Sequence, residues 1–259
     1  MFGDISQVTI FFLIFAAFSA GLVDAIAGGG GLLQLPALLI GVPQATTVEI
    51  LGTNKVASIF GTSASAMTYR KSVKTDAPFL VTMALPAFFG SVFGALSASI
   101  IPTQSMRPIV FVLLVAVAIY TWKKPDLGAL EVLRHETKRR FVIAAIAGFV
   151  IGFYDGIFGP GTGSFLMLTL IYLGFAFLSA SAIAKVVNVS TNFGAILVFG
   201  FHGAILWQVA LVLASANIVG GLLGAKLAIR GGSTLIRKVF LIVTVALIIK
   251  VGIDTLSNW

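Results

Sequence analysis

Long apolar runs recur along the whole chain, and they restrict its fold more than any other feature. Several reach about 17 to 25 residues, the length that an α-helix needs to cross a hydrocarbon core about 30 Å thick. The sequence lacks the short alternating strands of a membrane barrel. These runs therefore predict an all-α integral membrane protein with about 8 to 10 membrane helices. They lie near residues 8–27, 32–43, 46–68, 78–100, 107–122, 141–158, 161–178, 180–200, 204–227 and 238–254.

The composition supports a membrane protein. Of 259 residues, 58% are hydrophobic and 10% are charged, whereas a soluble domain carries about 25% charged residues. The absence of cysteine excludes disulfides, thiolate metal sites and cysteine nucleophiles. A net charge of +8 in such a chain indicates basic cytoplasmic loops rather than a nucleic-acid partner. The first run follows MFGDISQ, without a basic region or a cleavage site, so we predict a retained span in the cell (inner or plasma) membrane.

The two halves of the chain resemble each other. GLVDAIAGGGG at 21–31 aligns with GFYDGIFGPGT at 152–162 at an offset of 131, and the offset is 130 further on. Interrupted helices at equivalent places in two repeats are typical of secondary transporters. We therefore predict a first repeat (1–122), a cytoplasmic basic loop (123–140) and a second repeat (141–259) within a single membrane domain. The later matches pair Lys55, Gly90, Gly94 and Arg107 with Lys185, Gly220, Gly224 and Arg237.

The positions of the basic residues predict that the repeats are inverted. Loop 69–77 is basic, whereas the equivalent loop 200–208 has no Lys or Arg, so the positive-inside rule places them on opposite sides. Alternating placement puts both termini outside. It also puts nearly all Lys and Arg residues of the loops inside, the exceptions being Arg107 and Lys250. Trp122, Trp207 and Trp259 then fall at membrane interfaces.

Four charged residues remain within the predicted spans, in matched pairs: Asp24, Lys55, Asp155 and Lys185. Each costs about 2.5–3.5 kcal/mol at a helix centre on an insertion scale, so all four must face the protein interior or a hydrated cavity. One interpretation is two structural ion pairs that fix helix packing. The other is a substrate and coupling site, which the repetition of the set favours.

Glycines interrupt the helices beside both aspartates, at 28–31 and 159–163. A helix that restarts there presents free N–H groups and the positive end of its dipole, which together bind anions. We predict Gly29, Gly30 and Gly161 as parts of an anion site. The small-residue motifs Gly90-x-x-x-Gly94 and Gly220-x-x-x-Gly224 instead predict close helix packing.

Polar side chains near both lysines complete the predicted site. Asn54 and Ser58 accompany Lys55, while Asn188 and Asn192 follow Lys185. Spacing of three residues puts Ser58 on the helix face of Lys55 and Asn188 on that of Lys185. These groups would donate to an oxyanion, and hydrogen bonding between helices is the alternative. Thr53, Thr62, Ser190 and Thr191 are further polar residues of the same stretches.

The charges also suggest a mechanism. Two Asp and two Lys sum to zero, so protonating Asp24 or Asp155 would free a lysine and leave a positively charged site. Protons are therefore the candidate coupling ion. The depth of Asp24 leaves two arrangements open: segments 1 and 2 both cross the membrane, or they form a re-entrant hairpin with the glycines at its tip.

The four stretches GLVDAIAGGGG, LGTNKVAS, GFYDGIFGPGTG and AKVVNVSTN resemble those of the sulfite exporter TauE/SafE family, and the resemblance covers essentially the whole chain. It implies an exporter of sulfite or small organosulfur anions. Pro160 and Thr162 depart from the glycines of the first repeat, which makes the half-sites unequal.

The sequence leaves two other functional classes as alternatives. A channel or a cation carrier would use Asp24 and Asp155 as ligands. A membrane enzyme is not predicted, because His135 and His202 lie in predicted loops and no catalytic motif is present. We predict no catalytic residue, metal site, cofactor or nucleic-acid partner. The expected partners are a small anionic substrate and the lipid bilayer, and a homodimer is left open.

Overall fold

The computed structural model describes residues 6–98, 130–133 and 136–256, and only the backbone of residues 247 and 250–256. Segment 107–122, most of the 123–140 loop, His135, Trp259 and the side chain of Lys250 lie outside this part. The described residues form eight helices and no strand, as predicted for an all-α protein. The helices are α1 (Gln7–Ala27), α2 (Gly31–Gly41), α3 (Thr47–Arg70), α4 (Ala77–Ser97), α5 (Thr137–Ile157), α6 (Thr162–Tyr172), α7 (Phe177–Phe201) and α8 (Trp207–Leu256).

Five of these helices, α1, α4, α5, α7 and α8, are long and apolar enough to cross a membrane. Helix α8 bends at Gly232, where φ is 60°, and so has two arms. Phe11, Phe15, Ile146 and Ile242 on the outer surfaces are between 61% and 72% exposed. Apolar surface of this extent on membrane-length helices fits a hydrocarbon environment, so the helices indicate a multi-pass membrane protein.

Helix α3 has 24 residues but is not one of the five, because much of it is polar. A capping box starts it: Thr46 N donates to Glu49 Oε2 at 2.8 Å, and Thr46 Oγ1 accepts from Glu49 N at 3.3 Å. The polar side chains of Asn54 and Lys55 in its middle are buried. Helix α3 is therefore enclosed by other helices and can carry the charge that a lipid-facing helix cannot.

Helices α1 and α2 form a hairpin interrupted by glycine. Gly28 and Gly29 have φ angles of 69° and 128°, which non-glycine residues rarely adopt. Helix α2 then runs back along α1, so that Gly41 lies against Leu13. Gly159 and Gly161, with φ angles of 91° and 83°, make the equivalent break between α5 and α6. The helices are thus broken at the predicted stretches, and α2 and α6 are short, with 11 residues each.

Close packing joins the two halves of the chain. A Cβ added to any glycine of the two small-residue motifs would collide with a backbone carbonyl of the other half, which confirms their predicted packing role. Gly90 and Gly94 of α4 meet Phe149 and Phe153 of α5, and Gly220 and Gly224 of α8 meet Phe18 and Leu22 of α1.

Buried apolar side chains form two clusters, one around α2 and the other around α6. Along α7, Val187 belongs to the α6 cluster and Ala195 belongs to the α2 cluster. Asn188 and Asn192 lie between them and are buried. The polar residues therefore occupy the middle of the bundle, at the boundary between the two apolar clusters.

Candidate functional site

A polar cavity lies at this boundary, lined by residues of α1, α2, α3, α5, α6, α7 and α8 and of both glycine breaks. Its volume is about 30 Å³, room for two or three water-sized groups. It is lined by Ala20, Asp24, Gly29, Gly30, Gly31, Gln34, Asn54, Lys55, Ser58, Thr62, Asp155, Gly159, Gly161, Thr162, Gly163, Asn188, Asn192 and Asn217.

The first ion pair of the site joins Lys55 of α3 to Asp155 of α5. Lys55 Nζ lies 2.7 Å from Asp155 Oδ1, and the two side chains are 3% and 5% exposed. Thr162 Oγ1 donates to the same carboxylate oxygen at 2.7 Å. The other oxygen, Asp155 Oδ2, is buried and has no hydrogen-bond partner in the part of the chain that the structure describes. It is therefore open to a proton or to a donor on a ligand.

The second ion pair joins Lys185 of α7 to Asp24 of α1. Lys185 Nζ donates to Asp24 Oδ2 at 2.8 Å, and Gly29 N donates to Asp24 Oδ1 at 3.3 Å. Lys185 is fully buried, whereas the Asp24 side chain is 19% exposed. Asp24 lines the cavity, but Lys185 is not among the lining residues. The two lysines thus differ: Lys55 can contact a ligand directly, and Lys185 lies behind Asp24.

Both ion pairs connect one half of the chain to the other. Each lysine is partnered by the aspartate of the opposite half, with 2.7 Å in one pair and 2.8 Å in the other. A buried charge without a partner is strongly unfavourable, so these pairings remove the penalty that four isolated charges would impose. The paired site has no net charge from these four groups.

The glycine breaks bring backbone amides to the cavity. The first break lies against the start of α6, since a Cβ on Gly28 would come within 2.6 Å of Gly163 Cα. Gly30 and Gly31, at the start of α2, line the cavity. Within the described part of the chain their N–H groups donate no hydrogen bond. A Cβ on Gly159 would lie 2.9 Å from Lys55 Nζ, so this position leaves room for the lysine.

Amide side chains supply much of the remaining polar surface. Asn54 Oδ1 and Asn188 Oδ1 are buried without hydrogen-bond partners. Asn217 Nδ2 of α8 donates to Gln34 Oε1 of α2 at 2.6 Å, and Gln34 Nε2 is buried without a partner. Buried polar atoms are rarely left unpaired unless a site for water, an ion or a ligand is present.

The structure brings together all of the residues predicted for the site except Lys185. Asp24, Gly29, Gly30, Asn54, Lys55, Ser58, Asp155, Gly161, Asn188 and Asn192 all line the one cavity. Thr53, a further polar residue near Lys55, has a different contact: its Oγ1 accepts a hydrogen bond from Leu206 N at 3.0 Å, just before α8 begins.

Sequence reasoning missed Gln34 and Asn217. It selected charges and glycine breaks that recur in both halves, together with polar side chains close to the two lysines in sequence. Gln34 and Asn217 are neither, and the positions that match them hold Phe165 and Ala87. The available signal was that each is an amide inside an apolar run. His202 lies at the end of α7, where its Nδ1 is 2.8 Å from Val198 O, and it does not line the cavity. In the described residues, no three His, Cys, Asp or Glu side chains are grouped as metal ligands.

Comparison with known proteins identifies the family of the chain. The family model for the sulfite exporter TauE/SafE matches residues 13–251. The chain is similar to the probable membrane transporter protein ORF9 of Sinorhizobium sp, with 40% identity over 97% of this chain and 95% of the relative. It is 34% identical to the probable membrane transporter protein YfcA of Escherichia coli K12, over 97% and 92% of the two chains. A probable membrane transporter protein of Haemophilus influenzae is 33% identical over 97% of both chains. No solved structure shows a significant match.

Proposed function

The chain belongs to the sulfite exporter TauE/SafE family of membrane transporters, and from this premise we propose that it is a secondary exporter of small sulfur-containing oxyanions, namely sulfite or organosulfonates. The observation that carries the proposal is the cavity between the halves, where Lys55, Asp24 and Asp155 meet backbone amides and the unpartnered Nε2 donor of Gln34. Lysine and N–H donors in a low-dielectric site are the groups that hold an oxyanion.

Proton coupling follows from the neutrality of the site. With both pairs formed, Lys55 is neutralised by Asp155, so an anion gains little by entering. Protonation of Asp155 would leave the positive charge of Lys55 uncompensated. The entering anion would then supply the compensating negative charge. The unpartnered Oδ2 of Asp155 supports this assignment, because it can take a proton without breaking the bonds to Oδ1.

We infer that the repeats are inverted and that the hairpins α1–α2 and α5–α6 enter from opposite sides. At 1.5 Å per residue, the 11 residues of α2 extend about 16 Å, about half of the hydrocarbon core. This length favours the re-entrant arrangement over a full crossing. Asp24 would then lie near mid-membrane, consistent with the cavity residues Ser58 and Asn188 near the middles of α3 and α7.

Movement of the halves against each other would alternate access to the cavity. Both ion pairs cross between halves, so such a movement would change their distances. Sulfite has four non-hydrogen atoms, more than a cavity of about 30 Å³ holds comfortably. The cavity must therefore widen for loading. In this proposal the termini lie outside and the 123–140 loop is cytoplasmic. Because the proton and the anion are bound together, they leave together, and the outward gradient of the anion supplies the energy.

Sulfite flux from proteoliposomes tests the proposal. The wild type should export sulfite with saturation and should respond to an imposed pH gradient. Asp155→Asn should abolish the response to the gradient, because the amide cannot take up and release the proton. Asp24→Asn tests the second pair in the same way. Asp76→Asn, which removes an exposed carboxylate at the start of α4, should behave as wild type.

Two results would contradict this function. Full proton-dependent flux in both Asp24→Asn and Asp155→Asn would exclude the switch, and no binding of sulfite, thiosulfate or sulfonates by the purified wild type would exclude the substrate class. A cation carrier is the second candidate, since Asp155 Oδ2 and the Asn54 and Asn188 oxygens are unpartnered and oxygen ligands suit hard cations. Uptake driven by a Na⁺ gradient, without any anion requirement, would favour it.

A further inference from the structure

Two cavity residues, Gln34 of the first repeat and Asn217 of the second, are not duplicated. Asp24 and Lys55 have counterparts of the same type in the other half, but Gln34 and Asn217 do not. They are joined by the 2.6 Å hydrogen bond from Asn217 Nδ2 to Gln34 Oε1, and both are buried. The site therefore has a duplicated charged part and an unduplicated neutral part.

The helix packing makes room for Asn217. A Cβ on Gly61 of α3 would collide with Asn217 Oδ1, and a Cβ on Gly21 of α1 would collide with the backbone carbonyl of Asn217. At the positions matching Gly61 and Asn217 the other half has Thr191 and Ala87. The pair of small Gly61 and larger Asn217 is thus not repeated there. The absence of side chains at Gly21 and Gly61 thus leaves space for Asn217. The amide of Asn217 in turn orients Gln34 through their hydrogen bond.

Gln34 is left with a free donor. Its side chain is 1% exposed, it lines the cavity, and its Nε2 has no partner. A buried donor without an acceptor costs free energy, and a ligand or a water molecule that accepts a hydrogen bond from Nε2 would remove this cost. Because an amide is neutral, it recognises a hydrogen-bonding group without adding to the attraction for charge.

We propose that Gln34, oriented by Asn217, binds a polar substituent of an organosulfonate, while Lys55 and the backbone amides bind its sulfonate group. The pair would then favour substrates with a hydroxyl or similar group over equally sized substrates with an apolar end. This inference rests on the proposed function, because it assumes that the cavity accepts sulfonates. Gln34 is a specificity-determining residue in this scheme, and Asn217 is its positioning residue.

The test compares 2-hydroxyethanesulfonate with propane-1-sulfonate, which have the same charge and nearly the same size. Thermal stabilisation of the purified full-length protein gives an apparent affinity for each. The wild type should prefer the hydroxyl compound by about tenfold or more, the effect expected for a buried hydrogen bond. Gln34→Met keeps the side-chain length and removes the donor, so it should bring the ratio to about one.

Two further variants separate recognition from general damage. Asn217→Ala should lower the ratio in the same direction, and it serves as the test if Gln34→Met does not fold. Phe165→Met, at the position matching Gln34 in the other half, should leave the ratio as in the wild type, because Phe165 packs against Tyr154 and does not line the cavity.

The outcomes distinguish failure of this inference from failure of the proposed function. A ratio that both Gln34→Met and Asn217→Ala leave unchanged would overturn the inference. Sulfite binding by a wild type that binds neither sulfonate would also overturn it, while leaving the oxyanion transporter intact. Failure to bind sulfite and sulfonates alike would overturn both.

Discussion

The Lys55–Asp155 pair is the residue-level feature on which the site depends. Both side chains are almost completely buried and 2.7 Å apart, and among the described residues Asp155 has one further donor, Thr162. Attraction within a buried pair roughly offsets the cost of removing its members from water, so the pair adds little net stability. In the proposed mechanism the pair acts as the switch, because neutralising one member alone leaves an uncompensated charge.

This argument predicts different effects for single and double substitutions. Lys55→Met should lower the free energy of unfolding by about 3–5 kcal/mol, because Asp155 loses its partner. Lys55→Met combined with Asp155→Leu should recover most of that stability but should not transport. Unfolding of the detergent-solubilised variants and flux in proteoliposomes are the measurements. A double variant that transports sulfite would show that the pair has only a structural role.

At the scale of the helices, glycine decides which pairs approach closely. Helix α4 packs on α5, and the first arm of α8 packs on α1. Backbone carbonyls of α5 and α1 occupy the space that a side chain on the glycines of α4 and α8 would need. In lipid the hydrophobic effect does not drive helices together, so close van der Waals contact through small residues contributes most of the attraction. These contacts hold the two halves in register around the cavity.

The helix packing predicts a contrast between two Gly→Ala substitutions. A Cβ on Gly94 would lie 3.1 Å from Gly156 Cα and closer still to Phe153, so Gly94→Ala should cost about 1–3 kcal/mol through overpacking. A Cβ on Gly200 of α7 would meet only Ile205 Cδ1, at 3.6 Å. Gly200→Ala should therefore stabilise the protein by about 0.4–1 kcal/mol. Thermal unfolding compares them, and equal losses would contradict the role of close packing.

For the whole molecule, the proposed function depends on opposite orientation of the two halves in the membrane, which stays a prediction. The matched contacts across the molecule, both in the ion pairs and in the glycine packing, are what a repeat pair facing one cavity would produce. An inverted pair gives a transporter two equivalent ways to open, one to each side. The unduplicated Gln34 and Asn217 then make the two openings chemically different.

Labelling of matched positions tests this topology. Ser72 and His202 are equivalent at an offset of 130, and both are exposed. The chain has no cysteine, so a single introduced cysteine is the only thiol. A membrane-impermeant reagent applied to intact cells should label His202→Cys, and Ser72→Cys should react only after permeabilisation. Labelling of both from the same side would exclude the inverted repeat but not the cavity.

The sequence by itself determined the class of protein, the places where the helices break and most of the site. Those inferences depend on local properties: the length of an apolar run, the conformational freedom of Gly28–Gly31, and the cost of a charge in hydrocarbon. Because that cost forces polar groups together, repetition of Asp24 and Lys55 in the second half was enough to predict a shared cavity.

Only the tertiary structure decided which charges pair and which amides join them. Lys55 bonds to Asp155 and Lys185 to Asp24, across 100 and 161 residues of sequence. Gln34 and Asn217 meet across 183 residues and have no counterparts in the repeat. Contacts of this kind depend on how closely packed helices approach one another, which no local sequence property encodes.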